Sequence, residues 1–282
     1  MMDKVVILSP FGYTNFYLCS QFLEKGIETY GFNVSDLSYD SFEEEKLMEI
    51  GRNANYIEIT REKLLENPSI IDSDIIILSL YDFFISGHEE LKDRNLFEFI
   101  INVSNRSKQL VVLLPMQMKL KEEKVNLAIS VLQELLTRLE SSKVNIMQQY
   151  YLPTLYGPWQ PLPFVFQTLL VSEGKGKRNL SEFKDWTADA IYIEDAIREL
   201  MNKIVAEDNG KYLLKSDVPN HWEKCAELLG GYSGNFQSRF PDIEHMLVEE
   251  DVQIVTVKSS ISLENALDKQ KMHTSRLLLG KD

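Results

Sequence analysis

The sequence contains 282 residues and carries a formal net charge of −13, from 30 basic and 43 acidic side chains. Apolar residues make up 44% and charged residues 26%, an ordinary globular composition that excludes a disordered chain, a collagen and a coiled-coil rod. The acidic excess argues against nucleic acid and membrane surfaces as partners, because both are anionic and attract clustered Lys and Arg.

Several further classes are excluded by what the sequence lacks. The apolar run that follows Lys4 is too short for a signal peptide, and no stretch is long and apolar enough for a membrane span. The two cysteines, Cys19 and Cys225, fit free thiols in a reducing compartment. The four histidines share no metal-ligand spacing, so no metal site is expected. We therefore expect a cytoplasmic protein.

Short apolar strands alternate with helical segments through the first half of the chain. The predicted strands span 5–8, 27–32, 56–59, 74–78, 110–114 and 144–147. Helices are predicted at 16–25, ended by Gly26, and at 41–51, opened by a capping box at Ser41. Continuous apolar strands separated by helices indicate a parallel sheet covered on both faces. The sequence therefore predicts a doubly wound, Rossmann-like α/β fold.

Two further predicted helices, at 89–104 and 119–140, carry unusually wide apolar faces. Deep burial within one chain would explain these faces. The alternative is a helix-pair interface, in a homodimer or in a heterodimer with a related subunit, with Phe99, Val103, Leu132 and Leu136 as candidate contacts.

The residue composition of the sequence changes near residue 150. Residues 150–163 contain four Pro and one Gly among aromatic side chains. Strands are then predicted at 190–193 and 211–214, and helices at 194–206 and 220–229. We predict a Rossmann-like domain at 1–150 and a smaller C-terminal lobe at 151–282 that is interleaved with the last sheet elements.

Several motifs occur in the order typical of one enzyme family. Five segments each resemble a motif of the extended short-chain dehydrogenase/reductase family, the NAD-dependent epimerase/dehydratase group. They are the turn at 9–15, the strand at 74–80, the segment Leu155-Tyr156-Gly157-Pro158, and the segments at 189–196 and 261–267. Together with the strand–helix alternation, the resemblance implies a parallel sheet of about seven strands in the order 3-2-1-4-5-6-7. It also implies an NAD- or NADP-binding turn after the first strand. The cofactor-binding positions that it implies are Ser9, Gly12, Tyr13, Asn15, Asn33, Ser79 and Lys124.

The cofactor turn departs from the family pattern. Ser9 and Asn15 stand where the family has glycines, of which only Gly12 remains. A dinucleotide turn uses those glycines for a tight bend and for close approach of the pyrophosphate. Asn33 replaces the acidic residue that would bind the ribose. We therefore expect NAD or NADP to bind weakly or not at all.

The catalytic pair of the family is also incomplete. The family uses a Tyr and, four residues later, a Lys on one helix, and the Tyr exchanges a proton as hydride moves. Lys124 fits the Lys, but Leu120 stands at the Tyr position, and Pro115 or Met116 stands where a Ser or Thr is usual. The resemblance therefore leaves no catalytic residue except Lys124 as a remnant.

Three functions remain open at this point. The first is a non-catalytic or regulatory binding protein, a pseudoenzyme. The second is an NAD(P)-dependent epimerase, dehydratase or reductase acting on a nucleotide sugar or small carbonyl compound, with Tyr13, Tyr81 or Tyr151 as proton donor. The third is a structural subunit that pairs with an active paralogue. In each case the aromatic residues Tyr151, Tyr156 and Trp159 are candidates for contact with a small-molecule ligand.

Overall fold

The structure, a computed structural model, describes residues 2–34, 42–87, 94–120, 127–172, 183–230, 238, 240–241 and 250–279. The strands are β1 (Lys4–Leu8), β2 (Glu28–Phe32), β3 (Tyr56–Ile59), β4 (Ser73–Ser79), β5 (Ser107–Pro115), β6 (Ile146–Leu152), β7 (Thr154–Tyr156), β8 (Ala190–Tyr192), β9 (Gly210–Ser216) and β10 (Val252–Val257). The α-helices are α1 (Tyr13–Glu24), α2 (Glu43–Ile50), α3 (Arg61–Glu66), α4 (Leu80–Ser86), α5 (Arg94–Ser104), α6 (Leu127–Glu140), α7 (Val165–Val171), α8 (Ile193–Val205), α9 (His221–Leu228) and α10 (Leu263–Leu279).

Eight strands form one sheet in the order β10-β9-β6-β5-β4-β1-β2-β3, and β7 pairs in parallel with β8 in a second sheet. Strands β3, β2, β1, β4 and β5 run parallel, with Val6 of β1 opposite Tyr30 of β2 and Ile76 of β4. The predicted Rossmann-like α/β fold is confirmed, and so is the predicted order of the first six strands. β9 takes the seventh place, and β10 adds an eighth strand that the sequence did not predict.

The core follows from the composition of the central strands. Residues 5–8 of β1, 75–78 of β4 and 110–114 of β5 are all buried. A parallel strand covered on both faces exposes neither side, so its residues read as a continuous apolar run rather than an alternating one. These runs place β1, β4 and β5 at the centre of the sheet, and their carboxyl ends are where ligands bind in this architecture.

The chain divides into two compact units. The first contains residues 1–151 and 200–212, and the second contains residues 152–199 and 213–282. The first unit thus includes β1–β5, all of β6 except Leu152, and the helices α1–α6. The second includes β7, β8, β10 and the helices α7, α9 and α10.

The sixth strand lies further along the chain than predicted. The prediction ended at Met147, whereas β6 extends from Ile146 to Leu152. A search for apolar residues misses the end of this strand, because its buried residue Gln148 is polar. Within the first unit, the side-chain amide oxygen of Gln148 accepts from Gln109 at 3.0 Å, and its amide nitrogen donates to the Asp208 carbonyl at 2.9 Å. A satisfied buried amide gives a strand no apolar signature.

The helix predicted at 119–140 is described only as α6, from Leu127 onward. Met116–Lys119 form a 3₁₀ turn, and Leu120 has an extended backbone with φ −74° and ψ 146°. The six residues that follow lie outside the described ranges. Leu120 is therefore the end of a turn rather than a helical residue.

The wide apolar faces of α5 and α6 are used within the chain. Val103, Leu132 and Leu136 are at most 7% exposed, and the ring of Phe99 lies 5.1 Å from that of Phe32. This burial supports the first explanation given for those faces. A homodimer or heterodimer stays a prediction, but the buried side chains of Val103, Leu132 and Leu136 do not offer it an exposed face.

Two other features bear on earlier expectations. The capping box predicted at Ser41 lies outside the described residues, and α2 begins after Phe42 with three Glu in its first turn, which favours the helix dipole. Among the described residues, no helix has the length and apolarity needed to cross a membrane.

Candidate functional site

The loop between β1 and α1 forms a tight turn. Ser9 has φ 56°, the left-handed region that favours glycine, so this serine holds the backbone conformation for which the expected cofactor turn has a glycine. Its amide donates to the Phe32 carbonyl at 2.8 Å, and the Gly12 amide donates to the Ser9 carbonyl at 3.1 Å. Because this turn closes at Gly12, α1 begins at Tyr13, earlier than the predicted start at Phe16.

A carboxylate from another helix lies at the N-terminus of α1. Asp82 of α4 accepts from the Thr14 amide at 3.0 Å through Oδ1. Its Oδ2 accepts from the Thr14 hydroxyl at 2.9 Å and from the Asn15 amide at 3.2 Å. The first N–H groups of a helix have no partner within the helix and carry its positive dipole end, which makes them an anion site. Asp82 thus takes the position of an anion bound to α1.

Gly12 permits this close approach. A Cβ atom on Gly12 would lie 2.5 Å from Oδ2, 2.9 Å from Cγ and 3.0 Å from Cβ of Asp82. Gly12 has φ −57°, which any residue adopts, so the absence of a side chain and not the backbone conformation is what the position requires. In a dinucleotide turn a glycine lets the pyrophosphate approach the backbone. Here the glycine admits a carboxylate.

Two buried hydroxyls hold Asp82 in place. Ser79 caps α4, and its Oγ accepts from the Asp82 amide at 3.0 Å. The same Oγ lies 2.8 Å from the Thr14 hydroxyl, which in turn donates to Asp82. Ser79, Thr14 and Asp82 therefore form one hydrogen-bonded cluster that joins the start of α4 to the start of α1.

A buried lysine contributes a positive charge to this site. Lys46 of α2 has no exposed surface, and its Nζ donates to the Phe11 carbonyl in the turn at 2.8 Å. Withdrawal from water raises the pKa of Asp82, whereas the hydrogen bonds from Thr14 and Asn15 and the charge of Lys46 oppose that rise. Asp82 keeps partial solvent exposure.

The two amides among the predicted cofactor residues are bonded within the protein. Asn15 Nδ2 donates to the carbonyls of Leu8 at 2.7 Å and Ser9 at 3.2 Å, so the side chain turns toward the end of β1. Asn15 Oδ1 and Ser9 Oγ are buried and have no hydrogen-bond partner within the described residues. Asn33, expected near a ribose, donates to Glu43 Oε1 at 3.1 Å.

Of the remaining predicted cofactor residues, one lies at the start of α1 and one lies outside the described residues. Tyr13 is buried at the start of α1, where its ring packs edge-on against Tyr17 at 6.1 Å. Lys124 lies outside the described residues. The structure thus brings five of the predicted residues together around the start of α1, namely Ser9, Gly12, Tyr13, Asn15 and Ser79.

The dinucleotide that the resemblance implies does not fit this turn as it stands. Its pyrophosphate would need the N–H groups of Thr14 and Asn15, and both already donate to Asp82. Two anions cannot share these donors, because like charges at hydrogen-bond distance repel strongly. The turn with Asp82 in place therefore offers the dinucleotide no free N–H group of Thr14 or Asn15.

The catalytic positions also lack the family's geometry. Pro115 is the last residue of β5, and Met116 is buried in the following turn. Since Leu120 is extended, its spacing to Lys124 does not place the two on one described helix face. The prediction of a helix over 119–140 was therefore wrong at Leu120.

Tyr156, a predicted substrate residue, is bonded inside the second unit. Its hydroxyl lies 3.1 Å from His221 Nε2, and His221 Nδ1 lies 2.6 Å from Ser216 Oγ. All three residues are buried, and burial lowers the pKa of His221 to about 4 and raises that of Tyr156. At neutral pH this is a chain of uncharged groups, which suits a packing role.

The other two predicted substrate residues are buried as well. Tyr151, in the first unit, donates to Gln149 Oε1 at 3.2 Å, and Lys119 Nζ lies 4.1 Å from the centre of its ring. Trp159, in the second unit, packs its ring 4.2 Å from that of His273. Contact of these residues with a ligand stays a prediction.

Sequence reasoning missed Asp82, Thr14 and Lys46, the three residues that define the site. One signal was available for Asp82. Ser79 and Asp82 have the spacing of a capping box, which marks the start of a helix directly after β4. That spacing predicts α4, but it does not predict that the acid faces α1. The described residues contain no group of three or more side chains able to hold a metal ion.

The fold and the turn after β1 define the class: a Rossmann-like α/β protein in which the side chain of Asp82 lies at the start of α1. No protein-family profile and no curated protein matches the chain. Among solved structures it is similar to the UDP-glucuronic acid 4-epimerase of Bacillus cereus in complex with UDP-glucuronic acid and NAD, with a TM-score of 0.63 and 15% identity over 97% of this chain and 99% of that one.

Two further epimerase-like structures match over nearly the full length. The Bordetella bronchiseptica enzyme WbmH in complex with NAD⁺ has a TM-score of 0.60 and 15% identity, and the UDP-glucose 4-epimerase of Thermotoga maritima with UDP-glucose has a TM-score of 0.60 and 14% identity. Each covers 98% of this chain and 99% of its own. The resemblance to the extended short-chain dehydrogenase/reductase family is thus confirmed at the level of the fold.

Proposed function

We propose that this protein is a non-catalytic binding or regulatory protein built on the fold of the NAD-dependent nucleotide-sugar epimerases. The carboxylate of Asp82 carries the proposal, because it uses the N–H groups of α1 that a dinucleotide phosphate would need. The ligand or partner that the protein serves would then act elsewhere than through hydride transfer at this turn.

The missing proton donor supports the same proposal. Hydride transfer at a carbon that bears oxygen needs a group that exchanges a proton near neutral pH, and such assistance is worth about 10²–10⁴-fold in rate. Leu120 at the expected position cannot exchange a proton. Tyr13, Tyr81 and Tyr151, the alternative donors, are each at most 4% exposed.

An active NAD-dependent epimerase is the second candidate, and the comparisons favour it. The similar structures are epimerases solved with NAD or UDP-sugars, and they align over nearly the whole chain. In this alternative, Asp82 would leave the start of α1 when the cofactor binds, and a buried tyrosine would become accessible.

Binding of the cofactor separates the two candidates. We expect calorimetric titration of NAD and NADP into the protein to give dissociation constants weaker than about 100 μM, which corresponds to no more than about 5.5 kcal/mol of standard binding free energy. A low-micromolar constant for either dinucleotide would contradict the proposal and favour the epimerase. An epimerase of the same fold, titrated in parallel, controls for the quality of the cofactor.

Turnover provides the second test. An epimerase returns its cofactor unchanged, so the assay must separate sugar epimers by chromatography rather than follow nicotinamide absorbance alone. We expect no conversion of UDP-glucose or UDP-glucuronic acid with NAD supplied in excess. Conversion faster than about 0.1 s⁻¹, well below the enzyme median of about 10 s⁻¹, would refute the non-catalytic proposal.

A further inference from the structure

The carboxylate of Asp82 reproduces the contacts of a bound phosphate. It accepts from two consecutive backbone N–H groups at the start of α1 and from the hydroxyl of Thr14. An oxyanion held at a helix N-terminus makes the same kinds of contact. Asp82 is 68 residues from Thr14 along the chain, so this contact is tertiary and is not the ordinary capping of a helix by its own preceding residue.

We infer that Asp82 is an intramolecular latch that closes a phosphate-binding turn, and that removing its carboxylate opens the turn to inorganic phosphate, pyrophosphate and the phosphates of nucleotides. The inference deepens the proposed function and rests on it for the unmodified protein. It assigns the ligand class of the turn, an oxyanion of phosphate type. In the unmodified chain the carboxylate of Asp82 occupies the place of this ligand.

The surroundings of Asp82 are built for this contact. Gly12 leaves only enough space for the carboxylate, since a Cβ there would lie 2.5 Å from Oδ2. Ser79 fixes the backbone of Asp82 and also contacts the Thr14 hydroxyl. Lys46 adds a positive charge that favours an anion in this place. A free phosphate would meet the same donors and the same charge if the carboxylate were absent.

The latch excludes free anions for two reasons. A tethered carboxylate competes at a high effective concentration, in the millimolar range for short flexible links and higher for a rigid one. It also adds a negative charge beside any phosphate that approaches. Exclusion rests on occupancy, because the carboxylate already accepts from the N–H groups that a phosphate would use.

Titration of inorganic pyrophosphate and of NAD into single variants tests the latch. Asp82→Ala empties the position, and we expect its affinity for pyrophosphate to be at least tenfold higher than that of the wild type. Asp82→Asn fills the same space without charge, and because occupancy contributes more to exclusion than charge does, we expect its affinity to stay within about threefold of the wild type. Asp208→Ala is the matched control, because it removes one negative charge from an exposed residue of the same unit.

Each outcome decides for or against the latch. A gain with Asp82→Ala alone supports it. No gain with a folded Asp82→Ala, an equal gain with Asp82→Asn, or an equal gain with Asp208→Ala contradicts it. If Asp82→Ala does not fold, Asp82→Ser keeps one polar group facing α1, and a rise in its melting temperature with added phosphate, absent from the wild type, is the corresponding readout.

The latch and the proposed function fail in different ways. Turnover by the wild type would contradict the proposed function without bearing on the Asp82 variants. Absence of a gain in pyrophosphate affinity would contradict the latch and leave the non-catalytic proposal standing on the missing proton donor.

Discussion

Gly12→Ala probes the contact between the turn and Asp82 most directly. The backbone of Gly12 lies at φ −57° and ψ 157°, which alanine adopts without strain. The added methyl group would lie 2.5 Å from Oδ2, 2.9 Å from Cγ and 3.0 Å from Cβ of Asp82. The carboxylate therefore has to move, and it is held by three donor groups on Thr14 and Asn15.

The expected cost follows from that displacement. Overpacking of an ordered site costs about 1–3 kcal/mol, and a hydrogen bond to a charged group contributes about 1.5–3 kcal/mol. Since the carboxylate retains part of these contacts after a small shift, we expect Gly12→Ala to lower the free energy of unfolding by about 2–3 kcal/mol. In an Asp82→Ala background only the 3.0 Å contact remains, so the expected cost there falls below about 1 kcal/mol.

The assay is a double-mutant cycle in urea, followed by far-ultraviolet circular dichroism. Any preference for glycine over alanine at the position before α1 is present in both backgrounds and cancels in the cycle. We expect a coupling energy of about 2 kcal/mol between Gly12 and Asp82, within the range of residues in direct contact. A coupling below about 0.5 kcal/mol would refute the contact and, with it, the position of Asp82 at the start of α1.

Three further predictions concern other parts of the chain. The pKa of His221 is lowered from 6.5 to about 4, so the unfolded chain takes up a proton before the folded one as the pH falls. Between pH 7.5 and pH 4.5 the free energy of unfolding should therefore fall by about 2–3 kcal/mol, and this loss should be absent from His221→Asn. An equal loss in both proteins would contradict the assignment. Leu136→Glu places an unpaired charge at a position only 7% exposed, and urea denaturation should show that it destabilises the single chain by about 3–5 kcal/mol. Dissociation of a dimer without loss of unfolding free energy would instead show that Leu136 lies in a dimer interface. Leu120→Tyr should remain inactive in the epimer-separation assay, because an extended Leu120 does not share a described helix face with Lys124; measurable conversion would show the opposite.

The central strands of the sheet were predictable because their signal is local, whereas their order was inferred from the strand–helix alternation and the family motifs. Continuous apolar runs such as 5–8 and 110–114 mark buried parallel strands, and the connecting helices fix their neighbours. The sequence failed where a strand is buried through polar contacts. Gln148 in β6 pairs with Gln109 and with backbone carbonyls, and no apolar pattern reports such a pair.

The candidate site divides in the same way. The sequence by itself identified the turn after β1, its single remaining glycine, and the serine that ends β4, because each belongs to a short local motif. Only the tertiary structure decided what the turn contains. Asp82 reaches Thr14 across 68 residues of chain because β1 and β4 are adjacent in the sheet, so that the helices after them start side by side. A hydrogen bond between two helix starts depends on the adjacency of β1 and β4 and on the missing side chain of Gly12. The spacing of Ser79 and Asp82 alone predicts neither of these conditions.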